Sequence, residues 1–197
     1  MKTVLVIFAL VFAGMAYYFY DANINTKREL ESKIATVSNE KENEILMMKH
    51  TYDQFVANME KEIEQGEIKI IQLSDRLSVV MAEKILFPSG ESAITSEGLN
   101  VLERVGIVLK NTQHKIIRVE GHTDNEQINK SLQKKYPTNW ELSTARAINV
   151  VRFLQEKVGL EAEFLQPIGM SEYHPVASNE TKEGRSQNRR IEITLLP

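Results

Sequence analysis

Two opposite charges flank a polar segment in the second half of this 197-residue chain. Asp124 follows a run of apparent strand residues, and Arg146 lies inside an apparent helix. Three kinds of chemistry fit this pattern: solvated surface charges, a catalytic acid, or a pocket for a ligand that carries both charges. Arginine binds carboxylates through a planar, two-pronged fork, and a carboxylate accepts hydrogen bonds from an ammonium group. The residues alone make solvated charges the simplest interpretation and leave the other two open.

The predicted position of Arg146 adds to the zwitterion alternative. It lies near the start of a helix, where free backbone N–H groups attract anions, and an arginine there strengthens the same attraction. Asp124 would lie in a strand-to-loop turn that Gly121 opens. We therefore expect a carboxylate to face Arg146 and an ammonium group to face Asp124 if a ligand binds here.

His122 raises an enzymatic alternative, with His122 and Asp124 as metal ligands or as a base and its orienting acid. A spacing of two would place both side chains on one side of a strand. No third ligand or nucleophile follows nearby, so a structural histidine is the favoured interpretation. We predict no catalytic residue, no metal site, no cofactor and no enzymatic activity.

The basic segment "GRSQNRR" at residues 184 to 190 has two interpretations of equal weight. It is typical of a site for an anionic polymer. It is also typical of the residues before an edge strand, where charges discourage pairing between sheets.

Composition excludes several classes of function. The net charge of −3 and the pI of about 5.9 argue against nucleic acid as a partner, because phosphate binding usually requires a basic excess. The chain has no cysteine, which excludes disulfides, a thiol nucleophile and cysteine-based metal sites. The length suits one domain with an additional segment.

The N-terminal segment predicts a transmembrane anchor at residues 1–21. Residues 3 to 20 carry no charge, and about 20 apolar residues are needed to cross a hydrocarbon core of ~30 Å. A cleaved signal peptide, with Gly14 and Ala16 before the cut, is the alternative. We favour the uncleaved anchor, because the apolar run continues past Ala16. The expected location is a single pass through the inner membrane, with the C-terminal domain in the periplasm.

Residues 22–66 predict a helical stalk. They contain neither Gly nor Pro from residue 26 to residue 65, and apolar residues recur at spacings of three and four. A gap between the two apolar stripes breaks the register, so a coiled coil with a second copy is expected over the second half at best. A single solvated helix or a flexible spacer is the alternative. The stripes are Leu30, Ile34 and Val37, and then Ile45, Met48, Tyr52, Phe55 and Met59.

Residues 67–197 predict one α/β domain. Alternation of apolar and polar residues indicates strands, and apolar residues on one helical face indicate amphipathic helices. Thr95 or Ser96 would cap the first helix, and Gly159 would end the second. Strands alternating with helices indicate a two-layer α/β sandwich with helices on one face of the sheet. The predicted strands are residues 67–73, 76–81, 115–120, 163–170 and the final "RRIEITLL"; the helices begin at 95–96 and span 139–158.

Four ordered blocks resemble a known family. "ILFPSGESAIT", "VEGHTDN", "NWELSTARAINVVRFL" and "IGMSEYHPVASNETKEGRSQNRRIEI" are similar to the OmpA-like peptidoglycan-binding domain. The spelling "YPTNWELS", with the long loop before it, resembles the MotB-type branch found in flagellar stators. The resemblance covers about residues 68 to 197 and implies a βαβαβ domain, often dimeric in the motor branch.

The resemblance also implies a ligand and its binding residues. The ligand is the peptide stem of peptidoglycan, held non-covalently through diaminopimelate, whose side chain ends in an amine and a carboxylate. The Asp of "HTD" and the Arg of "LSTARA" would grip that end. The implied binding residues are Thr123, Asp124, Asn139, Leu142, Arg146 and Arg189.

Two departures from the family pattern modify these expectations. Gln127 precedes Ile128 where motor-type sequences often have Pro. This difference affects the expected conformation of the loop but not the two charged residues. A MotB-type stator subunit would carry an Asp in its membrane helix, and residues 3 to 20 contain none. We therefore expect a membrane-anchored tether to the cell wall, with a stator or accessory subunit working with a polytopic membrane protein as the alternative. A wall hydrolase is disfavoured for lack of a nucleophile or a metal set.

Overall fold

The computed structural model describes residues 2–73, 76–112 and 116–196, with the side chains of residues 2–6, 8, 9 and 11 outside the description. The chain forms two compact units that divide between Leu46 and Met47. The predicted turn at 74–75 and the first residue of the predicted strand at 115–120 lie outside the described residues.

The first unit is helical. Helix α1, Lys2–Asn58, runs through it and ends in the second unit. Exposed ion pairs one turn apart lie along it, such as Lys33 with Glu29 at 2.7 Å, and pairs of this kind each stabilise a helix by about 0.3–0.5 kcal/mol. The apolar side chains of Leu30 and Ile34 are solvent-exposed here. The predicted long helix is confirmed, and its pairing with a second copy stays a prediction.

The predicted transmembrane anchor is not confirmed. Within the part of the chain that the structure describes, no helix contains an apolar stretch long enough to cross a membrane. Part of that prediction depends on Met1 and on side chains outside the described set.

The second unit begins inside α1, earlier than the predicted boundary at residue 67. Phe55 and Met59 are fully buried in its hydrophobic core, and Met48 and Tyr52 pack against that core. Arg104 forms an ion pair with Glu62 that reinforces this packing. The part of the second apolar stripe from Met48 to Met59 therefore packs within this unit, whereas Ile45 is exposed. A helical period shows which face is apolar but not which partner covers it.

Five strands form one mixed sheet in the order β1-β2-β5-β3-β4. Strands β3 and β4 are parallel, and every other neighbouring pair is antiparallel. The predicted strands are thereby confirmed. Their bounds are β1 Ile68–Gln72, β2 Leu77–Ala82, β3 Ile116–His122, β4 Leu165–Ser171 and β5 Arg190–Leu196.

Two longer helices cover one face of the sheet, and the hydrophobic core lies between these helices and the sheet. Thr95 caps the first helix by accepting a hydrogen bond from the backbone N–H of Gly98. The second helix continues into a π-helical turn, Leu154–Val158, and ends at Gly159, whose φ of 81° is left-handed. Both predicted helix ends are confirmed. The helices are α2 Glu60–Glu64, α3 Glu83–Leu86, α4 Ser96–Lys110, α5 Asn139–Phe153 and α6 Lys182–Asn188, with a 3-10 turn at Ala162–Phe164.

The basic segment 184 to 190 does not precede an edge strand. It forms most of α6 and the start of β5, and β5 is central because it pairs with β2 on one side and β3 on the other. The edge-strand interpretation was wrong, because β5 has no open edge to protect. The basic residues of this segment lie on α6 and at the start of β5 instead.

Two glycines let α5 approach the sheet closely. A Cβ on Gly121 would lie 2.2 Å from the carbonyl oxygen of Ser143, and one on Gly169 would lie 2.0 Å from Oγ1 of Thr144. Only residues without a side chain fit at these distances. The close contact brings Arg146 on α5 towards the end of β3, where Asp124 follows.

Phe55→Ala is expected to lower the free energy of unfolding by about 3–5 kcal/mol, because it opens a cavity in a close-packed core. Urea unfolding followed by the fluorescence of Trp140, the single tryptophan, measures the loss within the second unit. Met47→Ala is the matched control on the same helix, since Met47 is half exposed and its loss should cost less than about 0.5 kcal/mol. Equal, small effects of both variants would show that the end of α1 does not belong to this core.

Candidate ligand-binding site

A cavity of about 640 Å³ opens at the end of β3 that leads into the loop before α5. Residues from α3, from this loop, from α5 and from the end of α6 line it. The structure brings all six predicted binding residues to this one cavity: Thr123, Asp124, Asn139, Leu142, Arg146 and Arg189.

Asp124 is buried and fully engaged. Its Oδ1 accepts a hydrogen bond from the backbone N–H of Glu126 at 3.1 Å, which closes a tight turn. Its Oδ2 forms an ion pair with Nη1 of Arg189. Because Arg189 is the charged partner of Asp124, any ammonium group that approaches Asp124 must share the carboxylate with that guanidinium.

Arg146 is only 2% exposed. Its Nε donates to the carbonyl oxygen of Glu91 at 2.8 Å, and its Nη2 pairs with Glu83. The guanidinium also lies over the ring of Phe87, 5.2 Å from its centroid. Burial lowers the pKa of Arg146, and the charge of Glu83 opposes that shift. Nη1 has no hydrogen-bond partner among the described residues, so one edge of the fork is available to a ligand.

Glu83, at the start of α3, is the site residue that sequence reasoning missed. Its Oε1 pairs with Arg146, and its Oε2 pairs with Nε of Arg189 at 2.8 Å. The carboxylate is almost fully buried. The only feature of the sequence that could have indicated Glu83 is an acidic residue directly after a strand. That feature is weak, because the charged residue beside it, Lys84, is exposed.

The four charged groups form one chain of ion pairs: Asp124 with Arg189, Arg189 with Glu83, and Glu83 with Arg146. Burial lowers the pKa of Arg189, but its hydrogen bond to Asp124 and the charge of Glu83 outweigh burial and raise it overall. Two acids thus neutralise two cations in a largely desolvated setting, where charges interact more strongly than in water. A ligand that carries one positive and one negative charge can exchange ion-pair partners with these four groups, and the net charge of the site stays the same.

Asn139 positions the loop. Its Nδ2 donates to the carbonyl oxygen of Glu126 at 3.1 Å and to Oε2 of Glu172 at 2.7 Å, with a longer contact to the carbonyl oxygen of Asp124. The amide nitrogen therefore holds the segment that carries Asp124. Leu142 supplies a buried apolar wall.

Thr123 offers a free hydroxyl. Its Oγ1 is buried and has no hydrogen-bond partner in the described part of the chain. Its backbone N–H donates to the carbonyl oxygen of Ser171 at 2.9 Å, which fixes the residue against the end of β4. The hydroxyl can therefore bond to a ligand.

The N-terminus of α5 does not offer the free N–H groups that the sequence suggested. Thr138 and Glu141 form a capping box, in which the Thr138 side chain accepts from the helix backbone and Glu141 accepts from the backbone N–H of Thr138. Arg146 lies two turns into the helix. The attraction for an anion therefore comes from the arginine side chains and not from the end of the helix.

The loop from residue 125 to 138 forms part of the rim. Gln127, Ile128, Asn129 and Leu132 line the cavity beside Asp124. His122 is not among the lining residues, and its ring groups instead with Glu120 and Glu192. The two side chains therefore belong to different clusters, and the alternative in which His122 and Asp124 act together gains no support.

Comparisons with known proteins agree with this geometry. A model described as the OmpA family matches residues 86–189. Motility protein B of Bacillus subtilis is 35% identical over 133 residues, which are 68% of this chain and 50% of that protein. The solved cell wall anchor of the T6SS from Pseudomonas aeruginosa has 32% identity and a TM-score of 0.66, and the match covers 72% of this chain and 96% of that chain. Peptidoglycan-binding protein ArfA of Mycobacterium bovis is 28% identical over 62% of this chain and 35% of that protein.

This chain spans about half the length of the curated relatives that it matches. The matched family model covers the cavity-lining residues from Phe87 to Arg189, and the lining residues Glu83 and Lys84 lie just before it. The likeness to Motility protein B supports the MotB-type branch. With the five-stranded mixed sheet and the matched family model, the chain belongs to the OmpA family.

Proposed function

We propose that this protein binds peptidoglycan without forming a covalent bond, by holding the zwitterionic end of a diaminopimelate stem peptide. The observation that carries the proposal is the chain of ion pairs from Asp124 through Arg189 and Glu83 to Arg146, buried at the wall of one cavity. Two of the compared proteins are described as a cell wall anchor and as a peptidoglycan-binding protein.

Recognition proceeds by exchange of partners. The ligand carboxylate bonds to the open Nη1 edge of Arg146 and competes with Glu83 for the guanidinium. The ligand ammonium bonds to Asp124 and displaces part of the contact with Arg189. Charge-assisted hydrogen bonds are about twice as strong as neutral ones, and the protein charges are already largely desolvated, so their exchange of partners needs little further desolvation. The free hydroxyl of Thr123 adds a further polar contact.

We further propose that the protein is a single-pass tether between the inner membrane and the cell wall. The uncharged N-terminal segment would anchor it, the long helix α1 would act as spacer, and the domain in the periplasm would bind the wall as a homodimer. Residues 21 to 46 of α1 lie between the uncharged segment and the second unit, and at ~1.5 Å per residue they give a spacer of roughly 40 Å. No catalytic step is assigned to it.

Co-sedimentation of the purified full chain with insoluble peptidoglycan tests the function. Walls with diaminopimelate in the stem should retain the protein, and free diaminopimelate should release it. Walls with lysine in the same position are the matched control, because lysine keeps the amine but lacks the second carboxylate, and they should retain much less. Equal retention by both walls would contradict recognition of the zwitterion, and soluble fragments released from the wall would indicate a hydrolase instead.

A second candidate function is an accessory or stator subunit of an ion-driven membrane complex, favoured by the identity to Motility protein B. It would bind the wall through the same cavity and would join a polytopic membrane protein. Residues 3 to 20 contain no carboxylate to carry an ion, so an accessory role fits better than a conducting one. Co-purification of a polytopic protein with the full chain from membranes would support this function, and recovery of the chain alone would favour the simple tether.

A further inference from the structure

A second cluster of polar side chains lies on the face of the sheet opposite the helices. Glu120 on β3 is directly opposite Glu192 on β5 in the antiparallel register. His122 is two residues further along β3 and therefore projects from the same face. One imidazole nitrogen and one oxygen from each carboxylate all lie within 4.8 Å of one another.

The polar atoms of this cluster lack the partners that buried groups normally have. His122 is 4% exposed, and neither of its ring nitrogens has a hydrogen-bond partner within the described ranges. No hydrogen bond to the carboxylate of Glu120 or Glu192 occurs within those ranges, and the nearest cation is Nε of Arg190, 3.8 Å from Glu192. Buried polar groups in folded proteins are nearly always bonded, so the buried imidazole of His122, which has no partner beside the two partly exposed carboxylates, indicates a missing ligand.

Two arginines beside the cluster oppose a cation, and their geometry limits that opposition. Arg190 directs its Nη atoms at backbone carbonyl oxygens, those of Asn188 at 3.2 Å and His174 at 3.3 Å. Arg118 lies two residues before Glu120 on the same strand, and its charge offsets part of the acidic pair. Neither guanidinium donates a hydrogen bond to the two carboxylates among the described residues.

We propose that Glu120, His122 and Glu192 form a site for one divalent transition-metal ion of the Zn²⁺ type, with water completing the coordination. One imidazole with two carboxylates is a donor set that favours Zn²⁺ over Mg²⁺ or Ca²⁺. Metal–ligand distances near 2.1 Å place donor atoms of a tetrahedral site about 3.4 Å apart, which rotation of the two glutamate side chains can reach. The ion would join the central strands β3 and β5 and is independent of the cavity residues.

Isothermal titration of the full, chelator-treated chain with ZnCl₂, together with metal analysis after gel filtration, tests the site. We expect one zinc per chain and a higher Tm with zinc than without it, and no such response to MgCl₂. Glu192→Gln removes one ligand and a like charge without loss of shape, so it should fold, lose the Tm response and bind zinc at least tenfold more weakly. His122→Gln should behave in the same way.

His174→Ala is the control for a nearby histidine outside the cluster, and Asp124→Asn is the control in the cavity. Both should retain one zinc per chain. Absence of stoichiometric zinc on the wild-type chain would overturn the proposal. Unchanged affinity in Glu192→Gln and His122→Gln, or loss of zinc in His174→Ala, would overturn it too, because either result means an adventitious ion only, bound through other histidines.

Discussion

Arg146→Ala is expected to abolish retention of the full chain by diaminopimelate-containing peptidoglycan. The substitution removes the buried guanidinium that receives the ligand carboxylate. Loss of a hydrogen bond to a charged group costs about 1.5–3 kcal/mol, which weakens a single-site interaction by tenfold or more. Co-sedimentation at a series of wall concentrations gives the ratio of the apparent Kd values.

Two variants separate binding from general effects of charge. Arg152→Ala removes an exposed arginine from the same helix, so it should bind like the wild type. Arg146→Lys keeps the charge but not the planar fork, and it should recover only part of the affinity. Full retention of a folded Arg146→Ala variant would contradict the assignment of the carboxylate subsite.

Glu83→Ala is expected to lower the free energy of unfolding by about 3–5 kcal/mol. It leaves Arg146 buried without its carboxylate, and removal of one partner from a buried ion pair is strongly destabilising because the other charge stays desolvated. The side chains of Arg146 and Glu83 are only 3% and 11% exposed, respectively. Urea unfolding followed by circular dichroism measures the change.

Glu91→Gln is the matched control for Glu83→Ala. Glu91 pairs with Lys135 at 3.1 Å on the surface, where both side chains are well exposed, and such pairs contribute about 0–1 kcal/mol. Its backbone carbonyl, which accepts from Arg146, is untouched by the substitution. If Glu83→Ala cost no more than Glu91→Gln, Glu83 would not be the residue that neutralises Arg146.

Local patterns predicted most of the fold. Thr95 and Gly159 fixed the ends of two helices because caps and left-handed turns have strong residue preferences. Alternation located the strands, but it carries no information about neighbours across the sheet, so the central place of β5 was not foreseen. The stripe from Met48 to Met59 was correctly read as apolar, but the helical period could not show that the second unit packs against it, since that period is the same for intramolecular and intermolecular packing.

The site residues that lie in the sequence blocks shared with the family could be predicted, and all six of them line the cavity. Asp124 and Arg146 are separated by 21 residues in sequence, and their convergence on one cavity depends on the close approach of α5 to β3 at Gly121. Glu83 escaped prediction because its burial arises only when α3 packs beneath Arg146. The capping of α5 follows the T-x-x-E signature of Thr138 and Glu141, which the sequence analysis did not use when it expected free N–H groups there.

The position of β5 has a consequence for how the domain is made. β5 is the last of the five strands to be synthesised, yet it lies between β2 and β3 and holds the two halves of the sheet together. Until it emerges from the ribosome, the hairpin of β1 and β2 and the pair of β3 and β4 each present an unpaired edge, which is a hazard for aggregation. Arg189 lies immediately before this strand, so the last ion-pair partner of Asp124 arrives with it. A nascent chain therefore acquires its complete sheet and its complete pocket at the same late moment, and a partly made chain has neither.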